Sequence, residues 1–249
     1  MTALLDVTAF KGMGSAELDR IEASSRVLVP RDGARLFVEG DAADAVYAIV
    51  NGSGHVRVGA PDTNSKGLMI DVFGPGDIFG EMGVIERSTR TADAVAEGRV
   101  QLLRISSKVF LDALHCNAVL GENLCLMLAK RLRRTSLLFR DATFESLEVR
   151  LASQLVYLDS REGGRRTEEG FQLAGRYRQG DLADLLGTTT RSIITILNSW
   201  RRDGIVIYDS VRGHLTICRE DDLRQCILAC RNRTKLGVAS DLAKAGDVD

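Results

Sequence analysis

Phe79-Gly80-Glu81-Met82-Gly83-Val84-Ile85-Glu86-Arg87-Ser88-Thr89-Arg90-Thr91-Ala92 decides how this chain is read, because it sets a glycine, a carboxylate and an arginine in one short run. Gly80 has no Cβ, so its backbone N–H can be approached closely. Glu81 accepts hydrogen bonds from a hydroxyl, and Arg90 offers a planar fork of donors suited to a phosphate. Thr91 adds a hydroxyl beside Arg90, within reach of a phosphate or a base. Together these groups suit a ribose joined to a phosphate, and Met82 lies among them.

Outward from this run the sequence reads as short strands. Val46-Tyr47-Ala48-Ile49-Val50 leads to a turn signal at Asn51-Gly52, and His55-Val56-Arg57-Val58 alternates after it. Leu68 to Phe73 ends at Gly74-Pro75-Gly76-Asp77, and Ala92–Ala96 and Val100–Ile105 complete the series. Regular short strands with such punctuation predict a β-barrel or jelly roll from about Arg26 to Arg104. From Ser107 to about Asp141 the period changes, and Gly121 is the one Gly or Pro in that span. Cys125, Leu128, Leu132, Thr135 and Phe139 follow the 3–4 rhythm of a two-helix seam. Thr135 either sets the register of that seam or, with Ser136, serves a ligand there. Phe139–Thr143 is the expected hinge, with Asp141 as a cap for the helix after it.

Leu147, Leu151, Leu155 and Leu158 begin a second amphipathic region, and Gly163-Gly164-Arg165-Arg166 reads as a turn before a strand at Phe171–Leu173. Gln179–Gly187 and Thr188–Trp200 then read as two helices joined at a glycine, with Leu182, Leu186, Ile193, Ile196 and Leu197 as their shared core. Thr189, Thr190, Arg191 and Thr195 are left facing outward at the start of the second helix, where such motifs read base edges. Between Gly175 and Arg202, five arginines stand against two aspartates, although the whole chain carries −1. This is a local footprint for phosphates, and Arg178 and Ser192 join the candidate DNA contacts. The plainer reading is a structural three-helix core with a solvated basic face. Ile205–Tyr208 and His214–Ile217 form a hairpin, which places His214 beside the wing tip.

The run F-G-E, a short helix and loop, then R-T-A resembles the phosphate-binding cassette of cyclic-nucleotide-binding domains. Val38-Glu39-Gly40-Asp41 with Tyr47-Ala48-Ile49-Val50-Asn51-Gly52 resembles that family's strand–turn pattern. The order of roll, long helix and winged helix over roughly residues 10–220 resembles the bacterial cAMP receptor protein/fumarate–nitrate regulator family. That resemblance implies an α+β protein with a jelly-roll-like cyclic-nucleotide-binding domain at residues 1–106. A long dimerisation helix at 107–140 and a winged helix-turn-helix with a C-terminal tail at 141–249 would come next. It implies Gly80, Glu81, Met82, Arg90 and Thr91 as ligand contacts and Arg131 as the partner of Glu81. Thr135 and Ser136 would meet the adenine, one of them from the other subunit. It further implies a homodimer, a palindromic duplex DNA site and RNA polymerase as partners. The cyclic nucleotide would be an allosteric ligand and not a prosthetic group. Where the cAMP receptor protein begins its recognition helix with Arg-Glu and continues with a second arginine, this chain has Thr190-Arg191 and Thr195. Arg191 suits guanine and the threonine methyls suit thymine, so an altered base preference is expected.

Thr91 resembles the threonine that holds guanine in cGMP sites, whereas Thr135-Ser136 points to adenine. cAMP is favoured and cGMP is the second candidate. No cysteine lies in the first hundred residues and His55 is the roll's one histidine, which argues against iron–sulfur and haem relatives. The five cysteines are expected to be structural thiols, with no metal site. No Ser/His/Asp set or paired carboxylates stand at useful spacing, so an enzyme is not expected. At 249 residues, 45% hydrophobic and 27% charged, with no signal-like N-terminus or membrane-length run, the chain reads as a two-domain cytoplasmic protein. Two rivals remain: a ligand-independent DNA-binding repressor of the same fold, and a cyclic-nucleotide module whose second half docks a protein.

Overall fold

The computed structural model describes residues 3–60, 68–162 and 164–229, and the chain divides into two units, Met1–Thr135 and Ser136–Asp249. The first unit opens with a 3-10 turn (Thr8–Phe10) and helix α1 (Ser15–Ala23). Eight strands come after them: β1 (Arg26–Leu28), β2 (Arg35–Phe37), β3 (Ala45–Gly52), β4 (His55–Ala60), β5 (Leu68–Phe73), β6 (Ile78–Phe79), β7 (Asp93–Glu97) and β8 (Val100–Ser106). They form two antiparallel four-stranded sheets, ordered β1-β8-β3-β6 and β2-β7-β4-β5.

Strand β3 explains the layering. Ala45, Tyr47 and Ile49 face the core between the sheets with Val56, Phe73, Phe79 and Leu102. Val46 and Ala48 face the opposite way, onto Leu4, Phe10, Leu18, Phe110 and Leu120. Alternate side chains leave opposite faces of a strand, so a strand covered on both sides is apolar throughout. The turn expected at Asn51-Gly52 lies two residues later. β3 continues through Gly52, which pairs with Val100, and β4 belongs to the other sheet. The chain changes sheets at Ser53-Gly54, where a Cβ on Gly54 would lie 2.1 Å from the Glu97 carbonyl oxygen.

The helical stretch after the roll is broken where the sequence reading keeps it whole. Helix α3 (Ser107–Cys116) ends at Asn117, and α4 (Ala118–Phe144) begins directly after it. Asn117 is extended, its Oδ1 accepts from Leu120 N–H (3.0 Å), and its Nδ2 donates to Glu17 (2.7 Å). It is thus an N-cap for α4. The expected hinge moves as well. α4 runs through Phe144, and Asp141 is buried within it against Arg140. The break lies at Glu145-Ser146, where Ser146 Oγ accepts from Val149 N–H. Along α4, the seam positions Cys125, Leu132, Thr135 and Phe139 are exposed (Leu132 69%, Phe139 75%), and Leu128 packs against the core.

In the second unit, α5 (Leu147–Glu162) buries Leu151, Leu155 and Leu158. β9 (Gly164–Arg166), expected as a turn, pairs with β10 (Phe171–Leu173). A Cβ on Gly164 would meet Gln172 O at 2.3 Å, so the close strand approach requires this glycine. Helices α6 (Gln179–Leu186) and α7 (Thr190–Arg202) precede β11 (Val206–Asp209) and β12 (His214–Ile217), giving a sheet ordered β11-β12-β10-β9. Helix α8, residues 220–229, buries Leu223. Its expected partner Cys230 and the polar tail lie outside the described residues. Of the cysteines described, Cys116 and Cys125 are exposed and Cys218 and Cys226 half-buried, all four as free thiols.

Candidate functional site

The stretch from Phe79 to Ala92 folds as a close-packed cassette. Gly80 takes φ 76°, in the left-handed region, and caps the five-residue helix α2 (Glu81–Ile85). A Cβ there would lie 2.8 Å from Arg90 Nη1 and 3.4 Å from the Phe37 ring, so both conformation and space require glycine. Gly83 is equally constrained, with a Cβ falling 2.5 Å from Thr89 O and 2.8 Å from Ala43 Cβ. The loop after α2 returns through Arg87 (φ 53°). Ser88 N–H donates to Gly83 O (2.8 Å) and Arg90 N–H to Asp41 O (2.8 Å).

Glu81 is 1% exposed. Arg131 of α4 donates from Nη1 to Glu81 Oε1 (2.5 Å) and from Nη2 to Ile78 O (2.5 Å), with its guanidinium carbon 4.6 Å from the Phe73 ring centre. Burial pushes the Glu81 carboxyl above its ordinary value of 4.5, and the Arg131 charge opposes that only in part. A buried ion pair with its hydrogen bonds made serves orientation more than stability.

Arg90 is 3% exposed. The sequence reading leaves its fork free, but Nη1 donates to Gly80 O (2.7 Å) and Nη2 to Ala45 O (2.8 Å). Nη2 also lies 3.6 Å from Asp44 Oδ1, and the guanidinium sits 4.2 Å from the Phe37 ring centre. Burial lowers its proton affinity, and Tyr47 and Asp44 act the other way. Arg90 Nε is buried and unpartnered among the described residues. Phe37, Asp44 and Tyr47 were missed from the sequence, because they meet Arg90 only through the pairing of distant strands. Met82 and Thr91 are both exposed beside this group. Thr135 is exposed, donates to Arg131 O (3.1 Å) and closes the first unit; exposed Ser136 opens the second.

In the second unit Gly187 ends α6 at φ 60°, and Thr188 N–H reaches back to Ala183 O (2.9 Å). Arg150 donates to Leu186 O, and Trp200 Nε1 to Glu148 (2.9 Å), fixing α6 and α7 on α5. Leu182, Leu186, Ile193 and Leu197 are buried and Ile196 half-buried. Thr190, Arg191 and Thr195 are exposed, as are Arg176, Arg178, Arg201 and Arg202. Two expected base readers are engaged locally: Thr189 Oγ1 accepts from Ser192 N–H (3.2 Å) and lies 2.9 Å from Ser192 Oγ, capping α7. His214 is half-buried at the start of β12, not at the wing tip. The tip carries Val211 and Arg212, both exposed, on a turn held by Asp209 Oδ1. That tip lies within Asp209–Gly213, the stretch between the two expected hairpin strands. Among the described residues no group of three His, Cys, Asp or Glu side chains could hold a metal ion, and no helix is long and apolar enough to cross a membrane.

Residues 30–117 match the cyclic nucleotide-binding domain family, and residues 149–226 match the Crp-like helix-turn-helix domain family. The chain is 28% identical over 198 residues to the cyclic AMP receptor protein of Thermus thermophilus, covering 79% of this chain and 87% of that protein. It is also 28% identical over 193 residues to a CRP-like cAMP-activated global transcriptional regulator of Mycobacterium tuberculosis, covering 76% and 84%. Among solved structures, the c-di-GMP responsive global regulator CLP of Xanthomonas campestris superposes with a TM-score of 0.71 at 23% identity, over 83% of this chain and all of that one. That similarity is one of fold.

Proposed function

We infer, from the premise that this chain belongs to the Crp/Fnr family of transcription regulators, that it is a cAMP-dependent dimeric regulator with cGMP as a second ligand. A cyclic-nucleotide-binding domain followed by a helix-turn-helix domain makes it a regulator rather than an enzyme. The observation that carries the finer reading is the pairing of buried Glu81 with Arg131 beside the buried Arg90 fork. Carboxylate and guanidinium are both desolvated and held ready, as a small polar ligand needs. Glu81 takes the ribose hydroxyl, Arg90 the phosphate, and Gly80, Met82 and Thr91 line the ligand. Thr135 and Ser136 take the base. Exposed Leu132 and Phe139 support α4 as the dimerisation helix, between a nucleotide-binding roll at 1–106 and a DNA-binding region that starts at α5.

Arg90 keeps Nε–H, unpartnered among the described residues, beside the two donors given to Gly80 O and Ala45 O, and this is the donor it offers the phosphate. Ligand contacts that differ between two arrangements of α4, through Thr135 and Ser136, are what would shift their balance. The dimer would then set two α7 helices about one DNA turn, ~34 Å, apart on a palindromic site and meet RNA polymerase in the cytoplasm. Arg178, Arg191 and Thr190 are the first DNA contacts, with Thr195 behind them; Thr189 and Ser192 shape the helix start. The engaged Arg90 fork favours a second reading, a ligand-independent DNA-binding repressor. Parallel calorimetric titrations with cAMP, cGMP and cyclic di-GMP, then DNA binding with and without each, separate the two. We expect cAMP to bind with a Kd of about 1 μM or below and to strengthen DNA binding. Silence with all three nucleotides and unchanged DNA binding would favour the ligand-independent DNA-binding reading. A protein-docking module would show ligand binding with no affinity for duplex DNA.

A further inference from the structure

Helix α7 carries two opposed stripes. Ile193, Leu197 and Trp200 recur at spacings of four and three and are buried. Arg191, Thr195, Asn198 and Arg202 recur at four, three and four and are all exposed. At 3.6 residues per turn the second stripe stays within a narrow arc, about opposite the first. Arg191 and Thr195 already belong to the proposed reading face, and Asn198 continues it by one more turn.

Asn198 adds nothing to the fold. Its side chain makes no hydrogen bond among the described residues, and asparagine is a poor helix former away from caps. Its amide presents a donor and an acceptor side by side on an exposed face. In the major groove that pair matches the N6 donor and N7 acceptor of adenine, in the bidentate contact that asparagine makes. Lysine or arginine at this position would be drawn to phosphate or guanine. Seven residues separate Arg191 from Asn198, a rise of ~10 Å, or roughly three base pairs at 3.4 Å each. Arg202, in the last turn, is placed for phosphate beyond them.

We propose that Asn198 is a specificity-determining residue that reads an adenine about three base pairs from the guanine read by Arg191. This rests on the helix-turn-helix reading above and extends it to the sequence of the half-site. Full-length protein, with and without saturating cAMP, is used to select binders from a randomised duplex library, in parallel with Asn198→Ala and Asn198→Gln. The wild type should enrich a half-site with guanine and adenine about three pairs apart. Asn198→Ala should lose discrimination at the adenine alone, by roughly 5- to 150-fold, and keep the guanine. Its melting temperature should not move, because the residue is exposed and unbonded. Asn198→Gln, which keeps the amide, should retain an adenine preference. An Asn198→Ala pool identical to the wild-type pool would overturn the assignment. So would loss of affinity spread evenly over all sequences, the mark of a phosphate contact. No enrichment by the wild type in either condition would instead fail the DNA-reading premise, and the assignment with it.

Discussion

The two units place their charged candidates in opposite environments. In the first, Glu81 and Arg90 are almost fully buried, and each is bonded to protein. In the second, Arg178 and Arg191 stand in solvent on a helix-turn-helix whose core is closed without them. The difference tracks the partners. A small anion supplies little contact area, so its site must hold desolvated charge in place, where each interaction is strong. Duplex DNA supplies a long array of phosphates, so exposed arginines gain by releasing counterions and need no burial. Function and stability should therefore be entangled in the first unit and separable in the second.

The sharpest way to break that contrast is Arg90→Ala. Removing a buried charged partner should cost nucleotide binding roughly 2–5 kcal/mol, which titration would read as near loss, and should also lower the melting temperature. If nucleotide affinity is unchanged, the cassette reading falls. Arg191→Ala is its counterpart. DNA affinity should drop by about 1–3 kcal/mol at one base position with no change in melting temperature, checked by competition binding and a thermal scan. Glycine substitutions sharpen the comparison. Gly83→Ala forces a Cβ against Thr89 and Ala43 and should destabilise by about 1–3 kcal/mol while weakening ligand binding. Gly187→Ala should cost about 1–2 kcal/mol through its left-handed conformation alone.

A smaller effect is one of pH. The folded state raises the Glu81 pKa, so it holds that proton more tightly than the unfolded chain does. Glu81's contribution is then most favourable below about 4.5, the ordinary value, and is lost as pH rises through the raised one. Denaturant melts of Glu81→Gln against wild type should differ by a slope of that sign above pH 4.5. Glu97 runs the other way: burial pushes it up, but the His55 hydrogen bond and the Arg57 charge outweigh that and hold it low. Only the difference between variant and wild type isolates Glu81. The smallest expected change is Arg178→Ala, which should reduce the salt dependence of DNA binding by about one phosphate contact and leave base preference intact.

The legible part of the sequence was local. The strand and turn rhythm of the roll, the glycine that ends α6 and the inward stripe of α7 each arise from residues within a turn or two of one another. The missed part depends on distant pairing or on competition between nearby caps. Nothing near Asp44 or Phe37 in the chain says that they meet Arg90; the pairing of Phe37 with Ala94 and the bridge of Ala42 to Thr89 bring them there. Asn117 and Ser146 are both good N-cap residues, yet the uninterrupted apolar rhythm hid the first, and Asp141 drew attention from the second. Asp141 is spent on Arg140 instead. Thr189 and Ser192 look like base readers by position, but a helix start needs its N–H groups satisfied, and their hydroxyls meet that need.

Helix α2 has five residues, fewer than an isolated helix needs to persist in water. It stands because Gly83 lets it press against Thr89 and because the loop behind it is tied to Asp41. Such a segment has no stability of its own to lose piecemeal. In hydrogen exchange, the amides of Glu86, Ser88 and Arg90, bonded to Met82, Gly83 and Asp41, should open as a single unit, and bound nucleotide should slow all three by one common factor.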